Sequence, residues 1–177
     1  MKNMRETLPT ILSEILTEIS NIEFAQIYEV EKEASGEEVV LKEEDLREAL
    51  EKPGAINVVL KNSGGRIVGF INGMPNDQIY HELIEDDPEF LNDPARMYVY
   101  DFAIKKESRS LANFLSLIKK LVEEMQRRNL AMLTMHTRKS EGLSNVLQKR
   151  YHAKRLRTLI NWQGWGEDFD YLELGLK

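Results

Sequence analysis

The order of elements written into the sequence predicts a mixed α/β domain, with a central and mostly antiparallel sheet flanked by helices. Three observations lead there. The first fifty residues hold three stretches with helical spacing of apolar side chains, a two-strand hairpin signal follows around an Asn-Ser-Gly-Gly turn, and the second half alternates strand and helix before a last strand pair. With 177 residues, 42% hydrophobic and 31% charged, the chain can bury a core of its own, so one domain over 1–177 is expected, with 1–21 as an N-terminal helical extension.

Leu8, Ile11, Leu12, Ile15, Leu16 and Ile19 recur at helical spacing, and Thr7 and Pro9 suit a first turn, so a helix is expected over 8–19. The stretch 24–34 places Phe24, Ile27, Tyr28 and Glu31 on one helical face. Alternation of Ile22, Phe24, Gln26, Tyr28 and Val30 would also suit a strand, and the Ser35-Gly36 stop decides for helix. A short helix over 41–51 ends at Pro53-Gly54. Ile56-Asn57-Val58-Val59-Leu60, the turn Asn62-Ser63-Gly64-Gly65, and Arg66-Ile67-Val68-Gly69-Phe70-Ile71-Asn72-Gly73 read as an antiparallel hairpin. Residues 74–96, with Pro75, Pro88, Pro94 and seven acidic side chains, read as a long connection holding one helical turn, a length that usually signals a functional loop.

Met97-Tyr98-Val99-Tyr100-Asp101-Phe102-Ala103-Ile104 is a near-continuous apolar run, as in a central strand covered on both faces. After a polar turn over 105–110, Leu111, Leu115, Ile118, Val122 and Met125 keep one face of a helix, widened by Phe114, Leu117 and Leu121 and closed by Arg127-Arg128-Asn129. A strand over 130–137 then makes a right-handed crossover with parallel strands. A helix over 143–151, with Ser140 as its cap, and strands over 156–162 and 169–176 around Gln163-Gly164-Trp165-Gly166 complete the chain.

Charge is divided unevenly. Residues 1–104 carry 9 Lys or Arg against 22 Asp or Glu, and residues 105–160 carry 14 against 4, which suggests a cationic ligand on one side and an anionic one on the other. The acidic pI of about 5.3 argues against a nucleic-acid partner. No 18-residue apolar run occurs and the first residues are interrupted by Glu6, Glu14 and Glu18, so neither a membrane partner nor a signal peptide is expected and the reading is cytoplasmic. The absence of Cys removes thiol chemistry, and His81, His136 and His152 share no metal-ligand spacing, so no metal is expected.

The succession of acidic helices containing Ile27-Tyr28-Glu29-Val30-Glu31 and Glu43-Glu44-Asp45-Leu46, the hairpin Gly65-Arg66-Ile67-Val68-Gly69-Phe70, and Tyr100-Asp101-Phe102-Ala103-Ile104 leading into a helix resembles the GNAT acetyltransferase superfamily over about 22–176. The resemblance implies acetyl-coenzyme A as cofactor, an N-acetyltransferase activity on a primary amine, and a pyrophosphate held where the helix after Ile104 begins, since free N–H groups there favour anions. It assigns cofactor binding to Phe102, Ala103, Ile104, Glu107, Ser108, Arg109, Ser110, Leu111 and Ala112. In the family this loop has Gln or Arg where Glu107 stands and Gly where Ser110 stands; Lys105, Lys106 and Arg109 would compensate the charge of Glu107.

The resemblance further implies a Tyr near the coenzyme A sulfur as general acid. Gln148 falls on that position, and Tyr151, one helical turn later, is the candidate. For the general base, Asp101 stands in an apolar run, on the face opposite to Tyr100 and Phe102 by strand alternation, and Glu31 stands on a helical face toward the substrate groove. The acceptor is expected to be a cationic amine, small molecule or protein, drawn to the acidic first half and to 76–96. Trp162 and Trp165 are open to three readings: a substrate wall, a contact in a homodimer, or a hairpin-stabilising pair. Glu107, Ser110 and Gln148 together define an alternative, a catalytically silent interaction module of the same fold.

Overall fold

Asn62 closes the first hairpin: its Oδ1 accepts from the backbone N–H of Gly64 and of Arg66, both at 3.0 Å, and Gly65 takes the φ of +75° that only glycine adopts freely. In the computed structural model, which describes residues 11–35 and 41–176, this turn joins β2 (Ile56–Lys61) to β3 (Ile67–Pro75) as an antiparallel pair. With β1 (Leu12–Leu16), β4 (Arg96–Ile104), β5 (Met132–Arg138), β6 (Lys154–Leu159) and β7 (Phe169–Gly175) they form one seven-stranded sheet in the order β1-β2-β3-β4-β5-β7-β6. Every neighbouring pair is antiparallel except β4 with β5.

Side chains alternate across the strands, so the two faces collect separate cores. On one face α4 (Leu111–Arg127) lays Leu117, Ile118, Leu121 and Met125 against Ile56, Val58, Ile71 and Met97, and α5 (Leu143–Tyr151) joins it through Leu147. On the other, α1 (Asn21–Ser35) and α2 (Glu43–Glu51) bury Phe24, Ile27, Val30, Leu46 and Leu50 against Val59, Ile67 and Phe70. Beside them α3 (Asn76–Leu83) places Ile79 and Leu83 with Met74, Tyr98 and Tyr171. Leu121 is fully buried at the centre of the α4 face. Leu121→Ala therefore destabilises the fold by about 2–5 kcal/mol in chemical unfolding, the usual cost of such a cavity.

The N-terminal segment departs from the helix expected over 8–19. Leu12 to Leu16 pair residue by residue with Lys61 to Asn57 at the open edge of β2, and Ser13 lies against α4, where its Oγ accepts from Ser116 Oγ at 3.1 Å. Ile11 and Ile15, four apart, are also two strand repeats apart, so they reach the α4 face equally well once the edge supplies hydrogen bonds. The part of that helix, and of the 1–21 extension, in residues 1–10 lies outside the described residues. The connection 74–96 holds the eight-residue α3 rather than a single turn. Ser140 is not the cap of α5: it lies in a 3-10 turn, and Gly142 at φ +68° occupies the cap position.

One irregularity governs the site. Asn72 faces Asp101 and Gly73 faces Val99, which leaves Tyr100 as an extra residue in β4, a bulge. The bulge cancels the alternation expected at this point, so Tyr100 and Asp101 lie on the same face of the sheet, toward α2 and α1 respectively, while Phe102 is on the α4 face against Phe114.

Candidate active site

β4 and β5 pair only from Arg96 with Met132 to Tyr98 with Thr134, and then part, whereas β4 stays paired with β3 through Ile104. The separation opens a cleft of about 820 Å3 between the two strands, reaching from α1 across the sheet to the start of α4 and to the β6–β7 connection. Beyond Tyr98 the β5-facing edge of β4 has no strand partner among the described residues, so its backbone groups are available to an amide-bearing chain laid along it.

The start of α4 forms one end of the cleft. Ser110 is its N-cap, with Oγ accepting from Asn113 N at 3.1 Å, and Asn113 Nδ2 in turn donates to the Ser108 carbonyl at 2.6 Å. The backbone N–H groups of Ser110, Leu111 and Ala112 have no acceptor among the described residues. Three free donors at the positive end of a 17-residue helix make an anion cradle. Of the sequence-predicted cofactor residues, Phe102, Ala103, Ile104, Arg109, Ser110 and Leu111 line the cleft. Glu107 and Ser108 do not: Glu107 is exposed in the 3-10 turn before α4, and Ser108 offers its carbonyl to Asn113. Ala112 contributes its amide, with its side chain outside the wall. Lys105 does not compensate charge in the cradle, because it is buried and bound to Glu29 at 3.0 Å and Glu33 at 3.3 Å, fastening α1 to the turn. Arg109 spans the cleft rim to the carbonyls of Ala34 and Ile104, both at 3.4 Å.

A hydrogen-bonded relay of side chains that the sequence does not place together stands where the strands begin to part. Tyr98 Oη lies 3.0 Å from His136 Nδ1, and His136 Nε2 lies 3.1 Å from Asp87 Oδ2. Arg157 Nε donates to Asp87 Oδ1 at 2.8 Å, with its Nη2 on Oδ2. The His136 ring stacks on Trp162 with centroids 4.1 Å apart and is enclosed by Phe90 and Tyr171. Asp87 is fully buried. Burial alone would raise its carboxyl, but hydrogen bonds from His136 and Arg157 outweigh this and hold it below the usual range. An ionised Asp87 only accepts, so His136 carries its proton on Nε2 and Nδ1 accepts from the Tyr98 hydroxyl. Burial lowers the His136 pKa, against the opposing pull of Asp87, and raises that of Tyr98. Tyr98, His136 and Trp162 all line the cleft.

The lowered His136 and Asp87 values have a stability consequence with a definite sign. The unfolded chain binds protons that the folded chain refuses, so the stability these groups contribute is present above their ordinary values and is lost as pH falls through their lowered ones. Melting temperature is expected to fall as pH drops below about 6.5, and a His136→Gln variant to lack that first phase while keeping the carboxylate phase below about pH 4.

Of the three catalytic candidates, the structure brings two together. Glu31, 1% exposed on α1, and Asp101 on β4 face each other, and both line the cleft. Glu31 Oε1 accepts from Ser35 Oγ at 2.7 Å, while Glu31 Oε2 and Asp101 Oδ2 are shielded from water with no donor among the described residues. Burial, then the charge of Glu31, pushes the Asp101 carboxyl well above the carboxylate range. Tyr151 is the third; it ends α5, half-buried against the α4 face, and is not part of the cleft wall. Trp162 is buried in the relay, and Trp165 is half-exposed beside Phe169.

Among the described residues no helix is long and apolar enough to cross a membrane. No protein-family model and no curated protein matches the chain. Solved structures match over almost its whole length. The ribosomal-protein-S18-alanine N-acetyltransferase from Escherichia coli superposes with a TM-score of 0.71 at 14% identity, covering 94% of this chain and 95% of that one. Arabidopsis thaliana NAA60 in complex with acetyl-CoA gives 0.70 at 13% identity, with 94% and 99% covered. A chain of the NatC complex bound to Gag peptide and CoA gives 0.69 at 16% identity, with 94% and 99% covered. The fold is that of the GNAT N-acetyltransferase superfamily.

Proposed function

We propose that the protein is an N-acetyltransferase that moves the acetyl group of acetyl-coenzyme A to a primary amine. The observation that carries this reading is a single cleft with an anion cradle at the start of α4, a free edge of β4 along its wall, and a buried Tyr98–His136–Asp87 relay across it. The N–H groups of Ser110, Leu111 and Ala112 would hold the pyrophosphate, with Arg109 swinging from its two carbonyls to a phosphate oxygen. Glu107, outside the cleft wall, leaves the cradle free of its charge, which weighs against the silent-module alternative.

Acetyl-coenzyme A supplies the acyl group as a thioester. An amine attacks its carbonyl only after losing a proton, and Tyr98 is placed to take it: the phenol passes its own proton to His136 Nδ1 and accepts the ammonium proton in its place. Asp87 fixes the tautomer and stabilises the imidazolium that forms, and Arg157 holds Asp87 ionised, so both act as positioning residues. The C–N bond forms as the C–S bond breaks, the nitrogen gives up its second proton as the amide forms, and the departing thiolate takes one of the two protons back through the same phenol while the other leaves to water. The test is release of free coenzyme A thiol from acetyl-coenzyme A with a panel of primary amines. Turnover that depends on the amine supports the reading; thiol release at the same rate without amine contradicts it.

A further inference from the structure

The relay leaves the pair Glu31 and Asp101 unexplained. Two carboxyls reach the cleft from different elements, α1 and the bulge of β4, and a buried carboxylate is costly unless a donor or a cation meets it. Neither forms an ion pair among the described residues. The cations near the pair are committed elsewhere: Lys32 over the Tyr28 ring, Lys105 to Glu29 and Glu33, Arg66 to Glu29, and Arg109 to the carbonyls of Ala34 and Ile104. Ser35 satisfies one of the four carboxyl oxygens and the Phe102 backbone N–H reaches Asp101, while Glu31 Oε2 and Asp101 Oδ2 have no donor among the described residues. A proton on Asp101, whose carboxyl burial and then the charge of Glu31 push well above the carboxylate range, donates to Glu31 and closes the gap.

A site of this kind is poorly suited to the nitrogen that reacts. Two carboxyls in a dry pocket stabilise an ammonium as an ammonium, whereas the attacking nitrogen must become neutral. The pair also stands three residues from Tyr98, about 10 Å along the strand and less across the bulge, so the reacting nitrogen cannot serve both. Resting on the acetyltransferase reading, we infer that Glu31 and Asp101 receive a second, non-reacting ammonium of the acceptor, which makes the acceptor class a linear diamine. One ammonium enters between the two carboxyls and displaces the Asp101 proton; the other lies at Tyr98 and loses its proton to the relay. Of the other ionisable groups lining the cleft, Glu82 from α3, Tyr100 from the bulge and Glu141 add no positive charge, while Arg109 is held by the carbonyls of Ala34 and Ile104 and Arg138 by Glu141 and Glu167.

The experiment is calorimetric titration of the full chain with 1,5-diaminopentane and with pentylamine, in two buffers of different ionisation enthalpy, followed by thiol-release kinetics with the same two amines. The expected result is at least about ten-fold tighter binding of the diamine, with a proton released to the buffer on binding. In Glu31→Gln/Asp101→Asn the preference falls to near one and the proton release disappears. Where that double variant does not unfold cooperatively, Glu31→Gln alone is used. Its amide keeps the hydrogen bond of the singly protonated pair, and it too must lose the proton release. Equal affinity for the two amines, no binding of either, or a preference and proton release unchanged in the variants would overturn the inference. The kinetics separate the two layers. Diamine binding with proton release but no turnover refutes the acetyltransferase reading and leaves the cation site standing, whereas equal turnover of both amines with equal affinity refutes the cation site alone.

Discussion

Ser110→Asp lowers the affinity for acetyl-coenzyme A by about a hundred-fold or more while the fold keeps its stability. The two halves of this expectation have separate causes. Ser110 caps α4 by accepting from Asn113 N, and Asp is as good a cap, with a charge that also suits the helix dipole. The same carboxylate stands among the three free N–H groups of the cradle, where a phosphate must sit. Two like charges about 4 Å apart near a protein surface repel by about 4 kcal/mol, more than enough for a hundred-fold loss. Calorimetry for affinity and thermal unfolding for stability check both halves. An unchanged affinity would move the anion site away from α4.

Tyr98→Phe is expected to lower turnover by about a hundred-fold or more with little change in acetyl-coenzyme A affinity, because it removes the oxygen hydrogen-bonded to His136 and leaves the ring in place. His136→Gln should lose turnover comparably, and the double variant no more than either single one, since groups that act as a unit are not additive. Tyr151→Phe tests the acid expected from the sequence: with Tyr151 outside the cleft wall, its loss leaves turnover near that of the unaltered protein. A ten-fold fall in Tyr151→Phe beside an active Tyr98→Phe would reverse the assignment. Steady-state kinetics of the four variants with one amine acceptor decides between them.

Much of this arrangement was legible in the chain before folding was considered. The hairpin over 56–73, the buried run Met97 to Ile104 and the helix–strand crossover after it carry their own periodicity and turn residues, and the structure places all of them as read. The first strand was not legible, because Ile11, Leu12, Ile15 and Leu16 satisfy helix and strand spacing alike and only the unfilled edge of β2 selects the strand. The cofactor loop was legible from the start of α4, yet the roles of its charges were not: Lys105 turns inward to Glu29 and Glu33 through contacts across more than seventy residues of sequence.

The relay was the hardest part to see. Asp87 lies in an acidic connection that reads as a solvated loop, Arg157 lies in the last strand pair, and only the tertiary fold brings them to His136. One signal was present. Tyr98 and His136 are polar residues in two largely apolar strands that the sequence makes parallel, and pairing Tyr98 with Thr134 puts His136 two residues on, upon the same face. For Glu31 and Asp101 the sequence named the residues but not the pair, since alternation set Asp101 opposite to Tyr100 and the bulge puts both on one side.

Calorimetric titration of the purified protein with acetyl-coenzyme A tests most directly whether the cleft between β4 and β5 binds it through the start of α4. Binding at micromolar concentration, with a melting temperature that rises with ligand as mass action requires, is the predicted result. Absence of both heat and thermal shift at millimolar acetyl-coenzyme A would contradict it.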